Sequence, residues 1–312
     1  MFKVNLKEFF KTFFTLSGDA LKELLKNDPL RMAGATAFFT TFALPPILVI
    51  LIQSLGLFLG YETIYGELYT SLAEIFGMQT ASQLKNVLNN IRDMAQNWYI
   101  TIMGFLFLLF VATTLFKVIK SSINQLWSIR VHGKRGVIKG LRARGQSLVV
   151  IMVAGLLFAI GLLSEGVRAF IGSYIFEISP LLSVYFNTFL NQVVSLVIVM
   201  LWFTIVFRYL PDGKPQWKIA FPGALVTALL FSIGKFILHW LLTYSNIKTV
   251  YGTSTSIVLI LLFVFYSSLI MYYGAAFTKV LANHKGYPIL PRPYAIYYKL
   301  METNVEERLN TD

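Results

Sequence analysis

Long apolar runs recur along this chain, separated by shorter hydrophilic blocks. A helix needs about 20 mainly apolar residues to cross roughly 30 Å of hydrocarbon. Six stretches meet or approach that length: Ala37–Leu59, Tyr99–Ile119, Leu148–Leu163, Leu181–Phe207, Ile219–Leu241 and Thr255–Leu281. The third is short and the fourth long. The pattern predicts an all-α polytopic membrane protein, a bundle of about six transmembrane helices with amphipathic helices outside the membrane.

Two hydrophilic regions also carry helical periodicity. Near the start, Phe2, Leu6, Phe9, Phe10, Phe13 and Phe14 recur at helical spacing, flanked by Lys3, Lys7 and Lys11. That predicts an amphipathic helix, either lying in the membrane interface with its lysines reaching the headgroups or packed on the protein's own bundle. In the connection 60–98, Leu84, Val87, Leu88, Ile91 and Met94 keep helical period and Ser82 is placed to cap the helix. Helices covering the end of the bundle are expected there. No low-complexity linker interrupts the chain, so residues 1–312 read as one membrane domain with an amphipathic segment at 1–35 and a tail at 282–312.

Composition supports the same class. Hydrophobic residues make up 56% of the 312 positions and charged ones 13%, against roughly 25% charged in soluble domains. That apolar excess cannot all fit inside a soluble core. There is no cysteine, which excludes disulfides, thiolate metal sites and cysteine nucleophiles. The first strong apolar run begins near Thr36, too late for the core of a cleavable leader.

The net charge of +12 is unevenly placed. Lys3, Lys7, Lys11, Lys22, Lys26 and Arg31 precede the first span. Lys117, Lys120, Arg130, Lys134, Arg135, Lys139, Arg142 and Arg144 follow the second, Arg208, Lys214 and Lys218 the fourth, and Lys279, Lys285, Arg292, Lys299 and Arg308 the end of the sixth. With six spans these regions share one side. The opposite side holds Lys85, Arg92, Arg168 and Lys248 among the acids Glu62, Glu67, Glu74, Asp93, Glu165 and Glu177. The bias predicts that the basic side, with both termini, is cytoplasmic. Lys134, Arg135, Lys139, Arg142 and Arg144 are placed to touch anionic lipid. Aromatics do not interleave with them as a base-stacking surface requires, so no nucleic-acid partner is expected.

Catalytic signals are sparse. His132, His239 and His284 form no HxH, HExxH or HxxxH pair and have no acid at metal-ligand spacing. Neither a Walker-type phosphate loop nor a GxSxG elbow occurs. No enzyme activity, metal or cofactor is expected.

Polar residues inside the spans carry more information. In the fourth span Ser183, Asn187, Asn191 and Ser195 recur every four residues, bordered by Thr188 and Gln192. That stripe predicts a face turned to the bundle interior, serving either as interhelical hydrogen bonding or as the lining of a polar cavity. The fifth span carries Thr227, Lys235 and His239 on a comparable face. Lys235 either extends its stem to the interface or pairs with an anion, for which Glu165 and Glu177 are the candidates. Pro45-Pro46 in the first span predicts a kink or a broken helix, with Thr40 and Thr41 placed to stabilise the disturbed turn. Pro45, Pro46, Asn187, Asn191, Gln192, Lys235 and His239 together form the candidate cavity or substrate path.

These residues resemble the YihY/BrkB family of bacterial inner-membrane proteins, often labelled ribonuclease BN. The likeness covers most of the chain: Ala37-Phe38-Phe39-Thr40 with Leu44-Pro45, Asn124-Gln125-Leu126-Trp127, Tyr209-Leu210-Pro211, Pro222-Gly223-Ala224, Tyr251-Gly252 and Gly274-Ala275. One departure is Gly274-Ala275-Ala276, where the family often has Gly-Ala-Glu. The resemblance implies a six-helix, multi-pass inner-membrane protein linked to envelope integrity, serum resistance and lipid movement. The nuclease label finds no metal-binding or base-handling constellation in these residues. The expected function is handling of a lipid or another amphipathic envelope substrate, with membrane lipids and other envelope proteins as partners. The rival is a non-catalytic scaffold that anchors an envelope complex.

Overall fold

The computed structural model of the chain describes residues 6–93, 98–132, 145, 149–161, 180–244 and 255–299. Nine helices are described there: α1 (Leu6–Leu25), α2 (Pro29–Leu59), α3 (Tyr61–Phe76), α4 (Met78–Asp93), α5 (Trp98–Leu126), α6 (Val149–Gly161), α7 (Pro180–Tyr209), α8 (Trp217–Tyr244) and α9 (Thr255–His284). Among the described residues four segments are long and apolar enough to cross a membrane: Pro29–Val49, Thr188–Tyr209, Trp217–Ile237 and Thr255–His284. Helix α5 has 29 residues, while α6 is a shorter apolar helix. The chain is thus an all-α membrane protein whose described helices fall on each of the six expected spans.

Helix α9 is the axis. It packs against α2 and α8 and, near its C-terminus, against α1; α5 packs on α2, and α7 on α8. The α8–α9 contact is closed by small residues. A Cβ on Gly223 would collide with the Thr278 hydroxyl, and one on Gly274 with the Thr227 hydroxyl. Each threonine in turn bonds its own helix, Thr227 to the Gly223 carbonyl (2.8 Å) and Thr278 to the Gly274 carbonyl (2.7 Å). Lipid tails supply no hydrophobic drive for helices to associate, so close backbone approach through glycine is what joins such a pair.

Two apolar cores result. The larger one gathers Trp127, Phe207, Leu210, Tyr272 and Phe277 at the end of the bundle where the cations cluster, here termed the basic end. The smaller one lies at the far end, where Leu48, Ile52 and Leu55 of α2 meet Ile64, Leu68 and Leu72 of α3 and Ala81 and Leu84 of α4. Gly60 (φ 87°) and Gly77 (φ 84°) supply the left-handed backbone that lets α2, α3 and α4 follow one another with single-residue breaks. Because α4 begins at Met78, directly after Gly77, Ser82 lies inside the helix and does not cap it.

Other expectations change in detail. Helix α2 starts at Pro29, whose fixed φ suits a first turn, and runs unbroken through Pro45 and Pro46. The Thr40 and Thr41 hydroxyls donate to the Thr36 (2.7 Å) and Ala37 (3.0 Å) carbonyls, one turn before the carbonyls that the prolines leave without an N–H. Helix α1 packs on the bundle through one face. Phe13 meets Phe277 at 6.0 Å between ring centres, Leu16, Ala20 and Leu24 are buried, and Phe10 and Phe14 stay exposed. The tail expected from residue 282 folds back in its first part. Strand β3 (Leu290–Pro291) pairs with β2 (Gly213–Lys214), and β4 (Ala295–Tyr297) with β1 (Ile129–Val131), both antiparallel.

Candidate functional site

Three corners of the chain meet at the basic end: the close of α5, the α7–α8 turn and the returning tail. Asp212 is their hub and is wholly buried. Its carboxylate lies 2.6 Å from the Lys120 ammonium and accepts from the Asn124 amide at 2.7 Å. The Asp212 backbone N–H donates to the other end of the same amide (2.8 Å), and its carbonyl accepts from the Arg292 N–H (2.8 Å). The Tyr294 phenol feels the charge of the carboxylate. Burial, and then the Asp212 charge, hold that phenol above its ordinary value. One acid thereby ties α5, the α7–α8 turn and the tail together. A buried carboxylate is stable only when paired and hydrogen-bonded in this way.

Further polar groups around it are also paired, while the Arg208 and Arg292 Nε atoms are buried without a hydrogen-bond partner. Trp127 donates from Nε1 to the Ala275 carbonyl (2.9 Å). Lys279 reaches Glu23 of α1 (2.7 Å), the Leu126 carbonyl (2.7 Å) and the Ser128 hydroxyl (3.2 Å). Deeper in the bundle, the Thr36 and Tyr272 hydroxyls lie 2.5 Å apart. These partnerships link α1, α2, α5 and α9.

The residues expected to form the substrate path lie elsewhere. Asn191 and Gln192 are exposed on α7, and Lys235 is exposed on α8. Pro46 is buried and Pro45 half-buried in α2. Asn187 and His239 belong to α7 and α8, but their side chains are not among those described, and Glu165, Glu177, Lys134, Arg135, Lys139, Arg142 and Arg144 lie outside the described residues. At 1.5 Å per residue, Asn191 and Lys235 each lie about 27 Å along their helices from the α7–α8 turn. Two amides and an ammonium therefore sit on the outer helices α7 and α8 at a common level toward the far end. Among the described residues no three His, Asp or Glu side chains converge as a metal site; His132 and His284 are exposed.

The Asp212 hub was missed from the sequence, although Asn124 and the Tyr209-Leu210-Pro211 turn were singled out. The available signal was local: Asp212 is the sole acid in a turn with Arg208, Lys214 and Lys218.

Comparison with known proteins follows the same span of chain. The family described as Virulence factor BrkB matches residues 20–294. A UPF0761 membrane protein of Saccharophagus degradans is 22% identical over 290 residues, covering 91% of this chain and 63% of that one. A UPF0761 membrane protein of Chlorobium phaeobacteroides is 22% identical over 281 residues, covering 88% and 58% respectively. This chain thus spans about three fifths of the length of those two relatives. A UPF0761 membrane protein of Histophilus somni is 25% identical over 290 residues, covering 90% of this chain and 93% of that one. No solved structure matches.

Proposed function

The chain belongs to the Virulence factor BrkB family, and from that premise we propose that it handles a lipid or another amphipathic substrate in the inner membrane of a bacterial envelope. The supporting observation is the exposure of Asn191, Gln192 and Lys235 at one level of α7 and α8. Amides and ammonium groups inside a bilayer turn to partners or water, because hydrocarbon offers neither. A phospholipid supplies both kinds of partner: ester and phosphate oxygens for the amides, and a negative charge for Lys235.

The proposal has six spans, with the basic end and both termini in the cytoplasm. Asn191 and Lys235 then lie near the outer boundary of a roughly 30 Å hydrocarbon layer, where outer-leaflet headgroups come within reach. The basic end, tied through Asp212, is the fixed base of this arrangement. No catalysis is part of the reading. The substrate enters from lipid along α7 and α8 and leaves chemically unchanged.

One observation favours the second reading, a scaffold. The α3–α4 hairpin at the far end exposes Met78 and Val87, a surface on which an envelope protein could dock. The two readings separate in a purified system. Protein reconstituted into vesicles with a fluorescent phospholipid is treated with dithionite, which bleaches only the outer leaflet. Lipid handling predicts bleaching beyond the half reached in protein-free vesicles. Bleaching that stops at half in both samples would exclude movement between leaflets and leave the scaffold.

A further inference from the structure

The α7–α8 turn sorts its charges by direction. Its sole acid, Asp212, is buried and held by Lys120 and Asn124. Two of its cations point outward, and Arg208 is half-buried at their side. Lys214 and Lys218 are exposed. The Arg208 guanidinium lies 4.3 Å from the Trp217 ring centre and donates to the Pro215 carbonyl. Arg292 of the returning tail donates to the Tyr209 carbonyl at 2.9 Å.

Aromatic rings border these cations. Tyr209 ends one membrane-crossing segment and Trp217 begins the next. Both are exposed, as is Phe221 one turn further into α8. Tyr209 and Trp217 meet edge to face at 6.2 Å, and Trp217 stacks on Phe221 at 5.4 Å. The surface therefore sets a phenyl ring nearest the hydrocarbon, a phenol and an indole beside Arg208 and Lys218 at the boundary, and Lys214 in the turn beyond. Tyrosine and tryptophan favour that boundary, and basic residues beside it attract anionic lipid.

We propose that this turn is a binding site for an anionic phospholipid, with Arg208, Lys214 and Lys218 holding the phosphate-bearing headgroup and Tyr209, Trp217 and Phe221 contacting the ester and upper acyl level. Charge selects the ligand. The patch presents cations with the one acid of the turn facing inward, so a zwitterionic headgroup gains little there. The site lies at the opposite end of α7 and α8 from Asn191 and Lys235 and does not depend on the substrate-handling reading.

The test uses the full chain purified in an uncharged detergent. Short-chain phosphatidylglycerol is titrated while the melting temperature is followed, with phosphatidylcholine of the same chain length and inorganic phosphate as comparisons. Phosphatidylglycerol is expected to raise the melting temperature, while the other two leave it unchanged. The Lys214→Gln/Lys218→Gln double variant, altered only at exposed side chains, should melt like the wild type without lipid and require about tenfold more phosphatidylglycerol for the same rise. An unchanged titration in that variant would overturn the site. So would an equal response to phosphatidylcholine, or a response to free phosphate matching that to the lipid.

Discussion

The acid at the α7–α8 turn and the polar residues at the opposite end of the same two helices are placed in opposite ways. At the turn, Asp212 is wholly buried and its carboxylate, N–H and carbonyl all have partners. Toward the far end, Asn191, Gln192 and Lys235 are exposed. The first arrangement fixes three segments in one geometry, and its buried groups are closed to a ligand. The second fixes nothing and leaves donors and a charge at membrane depth. The proposed function divides the roles along the same two helices: the matched polar groups hold the fold, and the outward ones would meet a substrate.

The comparison breaks most readily at Asp212. Asp212→Ala removes the buried carboxylate that pairs with the Lys120 ammonium, itself only 16% exposed. Removing one partner of a buried pair costs about 3–5 kcal/mol, so this variant should give little monodisperse protein and a strongly lowered melting temperature. Asn191→Leu should melt close to the wild type. Equal melting of the two variants would erase the distinction. A smaller loss, about 1–3 kcal/mol, is expected for Asn124→Ala, which deprives the buried Asp212 N–H of its acceptor and the carboxylate of a donor; urea titration in detergent measures it.

Lys279→Met sharpens the picture at α1. It removes the contact to Glu23 together with the donors to Leu126 and Ser128, a loss of about 1–2 kcal/mol. Limited proteolysis should then cut α1 faster than in the wild type while α7 and α8 keep their protection. Equal cutting would show that the apolar face of α1 holds it unaided.

The smallest effect concerns pH. The folded state holds the Tyr294 phenol above its ordinary value of 10.0, first through burial and then through the Asp212 charge. The folded state therefore binds this proton more tightly than the unfolded chain. The associated stability is complete below pH 10 and is lost as pH rises through the folded value. Above pH 10 the wild type should lose stability more steeply than Tyr294→Phe. Parallel curves would detach Tyr294 from the hub.

Sequence periodicity located the helices because a spanning segment declares itself within its own 20 or so residues. The hub was not legible, since Asn124 and Asp212 are 88 positions apart and nothing local tells an inward acid from a solvated one. Lys120 belonged to a cationic stretch that satisfies the topology rule whether or not one member turns inward. Pro45-Pro46 predicted a kink or a broken helix, and α2 is not broken there but continues through both; its packing on α5 and α9 supplies order that two absent donors do not cancel. Pro222-Gly223-Ala224 and Gly274-Ala275 stood out as motifs, and the structure supplies their reason: each glycine makes room for a threonine of the facing helix. For the stripe on α7, four-residue spacing identified a shared face but not what that face meets.

The central claim, that the outward polar groups act on a substrate while the buried ones hold the fold, is tested most directly by one variant measured two ways. Asn191→Leu/Lys235→Met is assayed for melting temperature and, on the same preparation, for movement of fluorescent phospholipid in vesicles. The predicted result is a wild-type melting temperature with lipid movement lost. Movement at the wild-type rate, or a loss of movement that tracks a lowered melting temperature, would contradict the claim.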